Sequence, residues 1–380
     1  MDGIKAASLR CEGPCRAESV LRAAKQIRKK LGQPATAAFV FAGGEFLAGL
    51  EEFCEILRVD GHIRDVAGCV AAGQIRDGEE FGGAEGFSLL AMTGGVSEPV
   101  GGDAAKVVPT GADGAVWIQS GIDPDFDARL ADWDRRFPGV PLAGGVTGRA
   151  RDGGPCVFLN GQRVEVVTIA AAGGLELVPS AAQGCRPIGE PLTVTRADSN
   201  ILYSLGGQPA YRVLERAFES LSDAEKSHAK GNLFAGLAGN EYAEEFGSGD
   251  FLIKNIIGAD PDSGAVVIGG LPRVGQTLQY QIRSRESALA DLGRAFKPAA
   301  KAKKRAVAAL LFSCVGRGEN FFGVESPDAS QLRSALGRKP VAGFFSAAEI
   351  APVGGTTALH GYTAVAAVFA VKGGAVGSAK

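Results

Sequence analysis

Apolar positions along the chain fall into short runs that end at glycine and are separated by helical segments. The runs TAAFVFAGG and VAALLFSCVG are rich in Val, Phe and Leu, which is typical of buried strands. In the segment DPDFDARLADWDRRF, Phe126, Leu130, Trp133 and Phe137 recur at spacings of four and three residues. This spacing places them on one face of a helix. The pattern therefore predicts strands alternating with amphipathic helices.

The same order of elements occurs three times, as strand, helix, strand, glycine-rich turn and strand. The first and last copies keep one register, with these positions 275 residues apart: Gly68 and Gly343, Ile75 and Ile350, Gly86 and Gly361. A middle copy with looser spacing contains GAVWIQSG, VPLAGGVTG and RVEVVTIAAAG. An internal repeat of this length predicts a supersecondary unit that is used repeatedly.

Chain direction follows from the connections within each unit. A strand-helix-strand crossover gives two parallel strands, whereas a tight turn returns the third strand antiparallel. The predicted class is therefore α/β (mixed α+β), with repeated strand-helix-strand-strand units that form mixed sheets and carry helices on their outer faces.

Four segments are predicted along the chain. We interpret residues 1–35 as an N-terminal helical lead-in, 36–221 as a first domain, 222–371 as a second domain and 372–380 as a flexible tail. The boundary lies near residue 221 because SDAE, from Ser222 to Glu225, is a capping-box pattern that opens a helix. Beyond it, DFLIKNIIGADPDSGAVVIGG predicts a β-hairpin.

Composition excludes several classes of protein. The 380 residues are 46% hydrophobic, enough for a large core, and the net charge of -2 lacks the basic footprint of a nucleic-acid binder. No apolar run reaches the length of a membrane span, and the start of the sequence lacks a secretory signal. Seven scattered cysteines suggest free thiols. We therefore expect a cytoplasmic protein.

No metal or cofactor is expected. Cys11 and Cys15 lie close together in RCEGPC, but a zinc site needs two more ligands and the chain has three histidines.

Polar side chains cluster at the predicted strand ends of the last unit. Ligands of open α/β sheets collect at the carboxyl ends of the parallel strands. The loop after the first strand, the end of the second strand and the start of the returning third strand bring these residues to one edge: Cys314, Arg317, Asn320, Glu349 and His360. Nearby glycines would let backbone N–H groups approach a ligand.

Each of these residues also has a purely structural interpretation. Cys314 could be a small buried hydrophobic residue, and His360 could bond a backbone carbonyl. Arg317 offers a planar fork for a carboxylate or phosphate, but a structural salt bridge with Glu349 is equally compatible with the pattern.

The corresponding edge of the first unit carries a second set of candidates: Gly43, Gly44, Glu45, Cys69, Gln74 and Glu85. It lacks an arginine in the corresponding loop. Of this set, Cys69 and Gln74 join the predicted ligand-binding residues, with core and turn positions as the alternative. One pocket is favoured over two equivalent sites.

At these residues the chain resembles the FIST family, which combines FIST N and FIST C domains. The strongest similarity is LLFSCVGRG with PVAGFFSAAEIAPVGG and LHGYTAV, which is similar to FIST C. AFVFAGG, VAGCVAAGQI, VPLAGGVTG and TRADSNILYSLGGQPA look like FIST N, so the resemblance runs from Thr36 to Val371. It implies a sensory module of bacterial signalling proteins that binds small molecules such as amino acids.

Two stretches depart from the family pattern. The chain has GCVAAGQI where the family shows a run like GCSTAGEI, and GGTTALHG where the family shows a run like GGRNFLHG. The ligand can therefore differ from the family norm. No kinase, cyclase, receiver or F-box segment is recognisable, so output is expected through a separate signalling protein.

Three functions remain open at this point. The first is a small-molecule sensor whose ligand is an amino acid or a related small carboxylate. The second is a cysteine-dependent hydrolase or transferase with Cys314 as nucleophile, His360 as base and Glu349 as orienting acid. The third is a protein-interaction scaffold. The sensor is the favoured hypothesis because the chain shows no local nucleophile motif.

Overall fold

The computed structural model describes residues 3–101, 108, 111–241, 243 and 245–373. The chain forms two compact units, and each unit is built from segments that are separated in the sequence. Unit 1 comprises Met1–Ala181, Phe296–Pro352 and Tyr362–Lys380, whereas unit 2 comprises Ala182–Ala295 and Val353–Gly361. The last repeat thus shares unit 1 with the first two. The predicted boundary near residue 221 lies within unit 2, and most of the predicted tail, from residue 374, lies outside the described residues.

The first part of unit 1 contains the lead-in and two repeats. Its elements are β1 (Ala6–Cys11), α1 (Ala17–Leu31), β2 (Ala35–Ala42), a 3-10 turn (Gly44–Leu47), α2 (Leu50–Val59), β3 (Ile63–Val70), β4 (Gly73–Arg76), β5 (Glu79–Gly82), β6 (Phe87–Met92), β7 (Val100–Gly101), β8 (Ala115–Ser120), α3 (Phe126–Arg136), β9 (Leu142–Thr147), β10 (Val157–Leu159), β11 (Gln162–Val164), β12 (Val166–Ala170) and β13 (Leu175–Ala182). The lead-in thus contains a strand before its helix, and β1 pairs antiparallel with β6.

Unit 2 contains a closed antiparallel barrel that the sequence analysis did not predict. Its elements are β14 (Cys185–Pro187), β15 (Leu192–Asp198), β16 (Ile201–Leu205), β17 (Gln208–Pro209), α4 (Ala210–Glu219), α5 (Asp223–His228), β18 (Leu233–Ala238), β19 (Phe251–Asp260), β20 (Ala265–Ile268), β21 (Thr277–Arg283) and α6 (Arg285–Ala295). Strands β21, β15, β16, β20, β19 and β18 pair in that order, and β18 pairs back with β21.

The apolar face of helix α4 packs against the core of this barrel. Val213 and Leu214 pack with inward residues such as Leu278, and the Tyr280 hydroxyl donates to the carbonyl of Ala210 at 3.0 Å. Closure removes the open strand edges of the sheet. The predicted hairpin is confirmed as β19 and β20, and the predicted capping box opens α5.

The rest of the chain supplies the third repeat. Its elements are α7 (Lys297–Ala302), β22 (Ala306–Cys314), α8 (Glu319–Phe322), α9 (Pro327–Leu336), β23 (Val341–Ser346), β24 (Ala348–Val353), β25 (Thr356–His360) and β26 (Ala364–Val371). Of these, β25 belongs to unit 2 and the others lie in unit 1.

The predicted direction of the strands is confirmed in all three repeats. The first two strands pair in parallel as β2 with β3, β8 with β9, and β22 with β23. The third strand pairs antiparallel with the first, as β6 with β2, β12 with β8, and β26 with β22. The chain is a mixed α/β protein whose helices pack on its sheets.

Between the second and third strands of each repeat, where the sequence predicts only a glycine-rich turn, the chain forms additional strands that pair with another repeat. The hairpin β4–β5 joins β23 of the last repeat, the hairpin β10–β11 joins β3 of the first, and β24 joins β9 of the middle repeat. Each repeat therefore completes the sheet of one neighbour and is completed by the other. The exchange satisfies backbone groups at a sheet edge that would otherwise stay unpaired.

Aromatic side chains from different repeats meet in the core of unit 1. Phe39 packs against Phe369 with ring centroids 5.8 Å apart, and Phe344 packs against both Phe41 and Phe312. All are buried. Burial of such a side chain stabilises a fold by roughly 1.5–3 kcal/mol.

Three glycines mark the second parallel strand of the repeats. A Cβ atom added to Gly68, Gly144 or Gly343 would lie 1.7, 1.8 or 1.8 Å from the carbonyl oxygen of the facing residue on the first strand. Such a distance is impossible for any side chain. Close approach of two backbones is therefore the reason why Gly68 and Gly343 occupy equivalent positions in the first and last repeats.

Candidate functional site

The first strand of the last repeat ends in a loop that is bonded to both neighbouring strands. The N–H of Cys314 donates to the carbonyl of Thr363 at 3.0 Å, and the N–H of Val315 donates to the carbonyl of Ser346 at 2.8 Å. Cys314 is 5% exposed. The backbone bonds hold the loop 315–318 beyond the carboxyl ends of β22 and β23.

Arg317 forms a buried ion pair with Asp328. Its Nε donates to Oδ2 of Asp328 and its Nη2 donates to Oδ1, both at 2.8 Å, and both side chains are fully buried. Its Nη1 donates to the carbonyl of Tyr362 at 2.9 Å, and the guanidinium carbon lies 5.0 Å from the ring centroid of Phe322. A bidentate pair of this kind uses the planar fork that the sequence analysis assigned to a ligand.

Asp328 was missed by the sequence analysis. It stands in the first turn of α9, where a carboxylate also interacts favourably with the helix dipole. Oδ2 additionally accepts a hydrogen bond from the Ser313 hydroxyl at 2.6 Å. Two features of the sequence could have indicated it. A buried arginine needs a carboxylate partner, and Asp328 is an acidic residue at a helix start eleven positions after Arg317.

Glu349 lies in β24 and not at the end of the second strand, which finishes at Ser346. Its Oε1 accepts from the Ser346 hydroxyl at 2.6 Å and its Oε2 accepts from the N–H of Thr363 at 3.2 Å. Burial raises the pKa of Glu349 to about 8, against the lowering effects of these hydrogen bonds and of the charge on Arg317. The sequence offered Glu349 as the salt-bridge partner of Arg317. In the structure the partner is Asp328, because α9 brings this carboxylate to the guanidinium group.

His360 is the last residue of β25, and the third strand of the repeat begins only at Ala364. The prediction that His360 lies at the start of the third strand is therefore wrong by one strand. Its side chain is buried, and β25 belongs to unit 2. Its grouping with Cys314 and Glu349 therefore remains a prediction from chain direction.

A cavity of about 400 Å³ opens beside the loop after β22, and we name it the Arg317 cavity. Of the five residues predicted at this edge, Arg317 and Asn320 line the cavity, whereas Cys314, Glu349 and His360 do not. Its wall consists of Ala72, Glu80, Gly82, Val315, Arg317, Gly318, Glu319, Asn320, Glu325, Ser326 and Phe345. The cavity therefore joins the last repeat to the β4–β5 hairpin of the first.

Glu80 is the residue that this hairpin contributes to the cavity. Its Oε1 accepts from the N–H of Ala329 in the first turn of α9 at 2.8 Å, and its own N–H donates to the Ser326 hydroxyl at 2.9 Å. Its Oε2 is buried and has no hydrogen-bond partner. Burial raises the pKa of Glu80 to about 7, assisted by the negative charge of Asp328. Glu80 could not be predicted from local sequence because it stands 249 positions before Ala329.

The two other predicted ligand residues lie in the first repeat. Cys69 is a fully buried core residue of β3, and burial raises its pKa well above the ordinary value. Gln74 is a buried residue of β4, and its Nε2 has no hydrogen-bond partner. Gln74, Val157 and Glu349 occupy equivalent positions in the strand pairing. Each pairs with the residue that follows one of the three glycines of the second strands, Gly343, Gly68 and Gly144 respectively.

A second cavity, of about 1070 Å³, lies at the strand ends of the first and middle repeats, and we name it the Glu45 cavity. Gly44 and Glu45 line it, whereas Gly43, Glu85, Cys69 and Gln74 do not. Apolar residues line part of it, namely Leu47, Val70, Ala71, Ala72 and Ala84, and the charged residues Glu45, Arg149, Arg151, Asp152 and Arg163 also line it.

Within residues 3–101, 108, 111–241, 243 and 245–373, no group of three or more acidic, histidine or cysteine side chains is arranged to hold a metal ion. The seven cysteines are free thiols. Among the helices in the described part of the chain, none has both the length and the apolar character needed to span a bilayer.

The fold and the strand-end cavity define a repeat-built α/β protein, and comparison with known proteins identifies its family. A FIST N domain matches residues 36–208 and a FIST C domain matches residues 210–352. The chain belongs to the FIST family. The junction of the two matched domains falls at the start of α4.

The similar proteins come from mycobacteria. An uncharacterized protein of Mycobacterium bovis is 40% identical over 238 residues, which cover 61% of this chain and 61% of that protein. An uncharacterized protein of Mycobacterium tuberculosis is also 40% identical over 238 residues, covering 61% of this chain and 62% of the relative. The chain spans about three fifths of the length of the curated relatives it matches.

Proposed function

We propose that this protein is a small-molecule-binding sensory protein and that its ligand binds in the Arg317 cavity. The observation that carries the proposal is the position of this cavity at the carboxyl ends of β22 and β23, where α/β sheets bind ligands. Its volume lies within the range of small-molecule sites. Buried polar groups of Arg317 and Glu80 line it, and Asn320 adds an exposed amide.

The position of Cys314 supports a sensor over a cysteine-dependent enzyme. The residue is 5% exposed and is not part of the wall of either cavity described above. A nucleophile needs access to its substrate and an environment that favours the thiolate.

Signal output through a separate signalling protein belongs to the same proposal, as does a cytoplasmic location. The free state of all seven cysteines supports a reducing compartment. Cell fractionation with detection of the native protein would check the location.

Thermal-shift screening with amino acids, amines and small carboxylates tests the binding proposal. A ligand that binds only the folded state at 100 times its Kd stabilises that state by about 2.7 kcal/mol, so the melting temperature should rise. A compound that produces this rise identifies the ligand class.

Two matched variants localise the binding. Gly82 lines the Arg317 cavity and Gly44 lines the Glu45 cavity, and a Cβ added at either position meets no atom within 4 Å. We expect Gly82→Trp to abolish the thermal shift and Gly44→Trp to preserve it. A shift that survives Gly82→Trp would place the ligand elsewhere. Absence of any shift, with recovery of a stoichiometric protein partner, would favour the scaffold.

A further inference from the structure

The cation in the wall of the Arg317 cavity is already neutralised by the protein. Two of the three nitrogens of the Arg317 guanidinium bond to Asp328, and the third donates to the carbonyl of Tyr362. In the described part of the chain, no Lys or His lines this cavity, and Arg317 is the one arginine that does. A carboxylate ligand that paired with Arg317 would have to displace the buried Asp328 from this cation, which costs several kcal/mol.

The same wall presents an acceptor that the protein leaves unused. The N–H of Ala329 donates to Oε1 of Glu80 and orients its carboxyl group, while the backbone N–H of Glu80 donates to the Ser326 hydroxyl and holds the hairpin against the start of α9. Oε2 of Glu80 is buried without a hydrogen-bond partner, and Glu80 is one of the residues that line the cavity. Because a buried oxygen without a partner is costly, this position calls for a donor from a ligand.

The remaining charges of the cavity have the same sign. Glu319 and Glu325 line it and are both exposed, so they stand nearer to solvent than Glu80. Three carboxyl groups therefore face one guanidinium, and the charge of that guanidinium is matched by Asp328. Acidic groups around a concave site raise the local concentration of cations. Val315 and Phe345 add apolar surface for a carbon chain.

We propose that the Arg317 cavity recognises a ligand through a protonated amine, whose N–H donates to Oε2 of Glu80. This inference rests on the proposed function and names the ligand's chemical class. It reverses the expectation from the sequence that Arg317 would bind a carboxylate. Arg317 and Asp328 position the loop and α9, and Glu80 contacts the ligand.

Calorimetric titration with matched probes tests the proposal. The probes are pentylamine and 1,5-diaminopentane, compared with pentanoate and glutarate of the same chain length. We expect the amines to bind the wild-type protein and the carboxylates to give no saturable heat. Loss of a charge-assisted hydrogen bond in Glu80→Gln should weaken amine binding by about tenfold or more.

Controls separate binding from folding. Glu80→Gln keeps an oxygen that can accept from the N–H of Ala329, so its circular dichroism and melting temperature should match the wild type. Glu319→Gln removes an exposed charge and should weaken amine binding less than threefold, because exposed charges are screened.

The outcomes distinguish this inference from the proposed function. Saturable binding of the carboxylates that disappears in Gly82→Trp, with no binding of the amines, would overturn the inference and leave the cavity as a ligand site. Amine affinity unchanged in Glu80→Gln would also overturn it. Failure of every probe, together with an unchanged melting temperature for the whole screen of amino acids, amines and carboxylates, would overturn both.

Discussion

Replacement of Arg317 by methionine tests whether the buried ion pair is a structural element. The variant leaves the carboxylate of Asp328 in a fully buried position with a hydroxyl donor from Ser313 but without its bidentate partner. Removing one partner of a buried pair costs about 3–5 kcal/mol because the other charge stays uncompensated. We expect a loss of this size in the free energy of unfolding of unit 1.

Urea unfolding followed by tryptophan fluorescence measures this loss directly. The two tryptophans, Trp117 and Trp133, are buried in unit 1, so their emission reports on that unit. A lower midpoint with an unchanged slope indicates a change of stability alone.

A second substitution supplies the control. Asp328→Asn removes the charge and keeps an oxygen that can accept from Ser313. The double variant Arg317→Met with Asp328→Asn should therefore recover about 2 kcal/mol relative to Arg317→Met, within the usual range of coupling between contacting residues. The reasoning would be refuted if Arg317→Met lost less than about 1 kcal/mol and the double variant were no more stable.

Three further predictions follow from other parts of unit 1. Gly343→Ala should lower the free energy of unfolding by about 3 kcal/mol in the same urea assay, because its Cβ would overlap the facing carbonyl oxygen, whereas Gly82→Ala should have little effect. Burial raises the pKa of Glu349 from its ordinary value of 4.5 to about 8 in the folded protein, so between these values the folded protein keeps a proton that the unfolded chain releases. The contribution of Glu349 to stability is therefore fully present below about pH 4.5 and is lost as the pH rises through 8. Glu349→Gln should then flatten the fall in stability between pH 5 and 8, and an unchanged pH profile would contradict this. Iodoacetamide with peptide mapping should label the two half-buried N-terminal cysteines before Cys314, and rapid labelling of Cys314 would instead favour the nucleophile hypothesis.

The repeats and the direction of their strands could be predicted because they depend on local properties of the chain. Apolar runs, helical spacing and short connections act within about 35 residues, and each restricts the backbone independently of distant segments. The register of Gly68 and Gly343 was visible for the same reason, since close approach of two adjacent strands leaves room for no side chain. Strand direction also placed the loop that contains Arg317 and Asn320 at the edge of the sheet where the Arg317 cavity lies.

Partners across the chain could not be predicted in this way. The hairpins β4–β5 and β10–β11 carry backbone groups that can pair with any open strand edge, so their exchange between repeats depends on the assembled unit. That exchange brings Glu80 to α9, and α9 in turn brings Asp328 to Arg317. The sequence showed which side chains were available to a site at the strand ends. The pairing of distant edges determined which of these side chains are neutralised within the protein and which carboxyl oxygen has no hydrogen-bond partner. The sequence does not specify this pairing, because almost every residue offers the same backbone N–H and C=O groups.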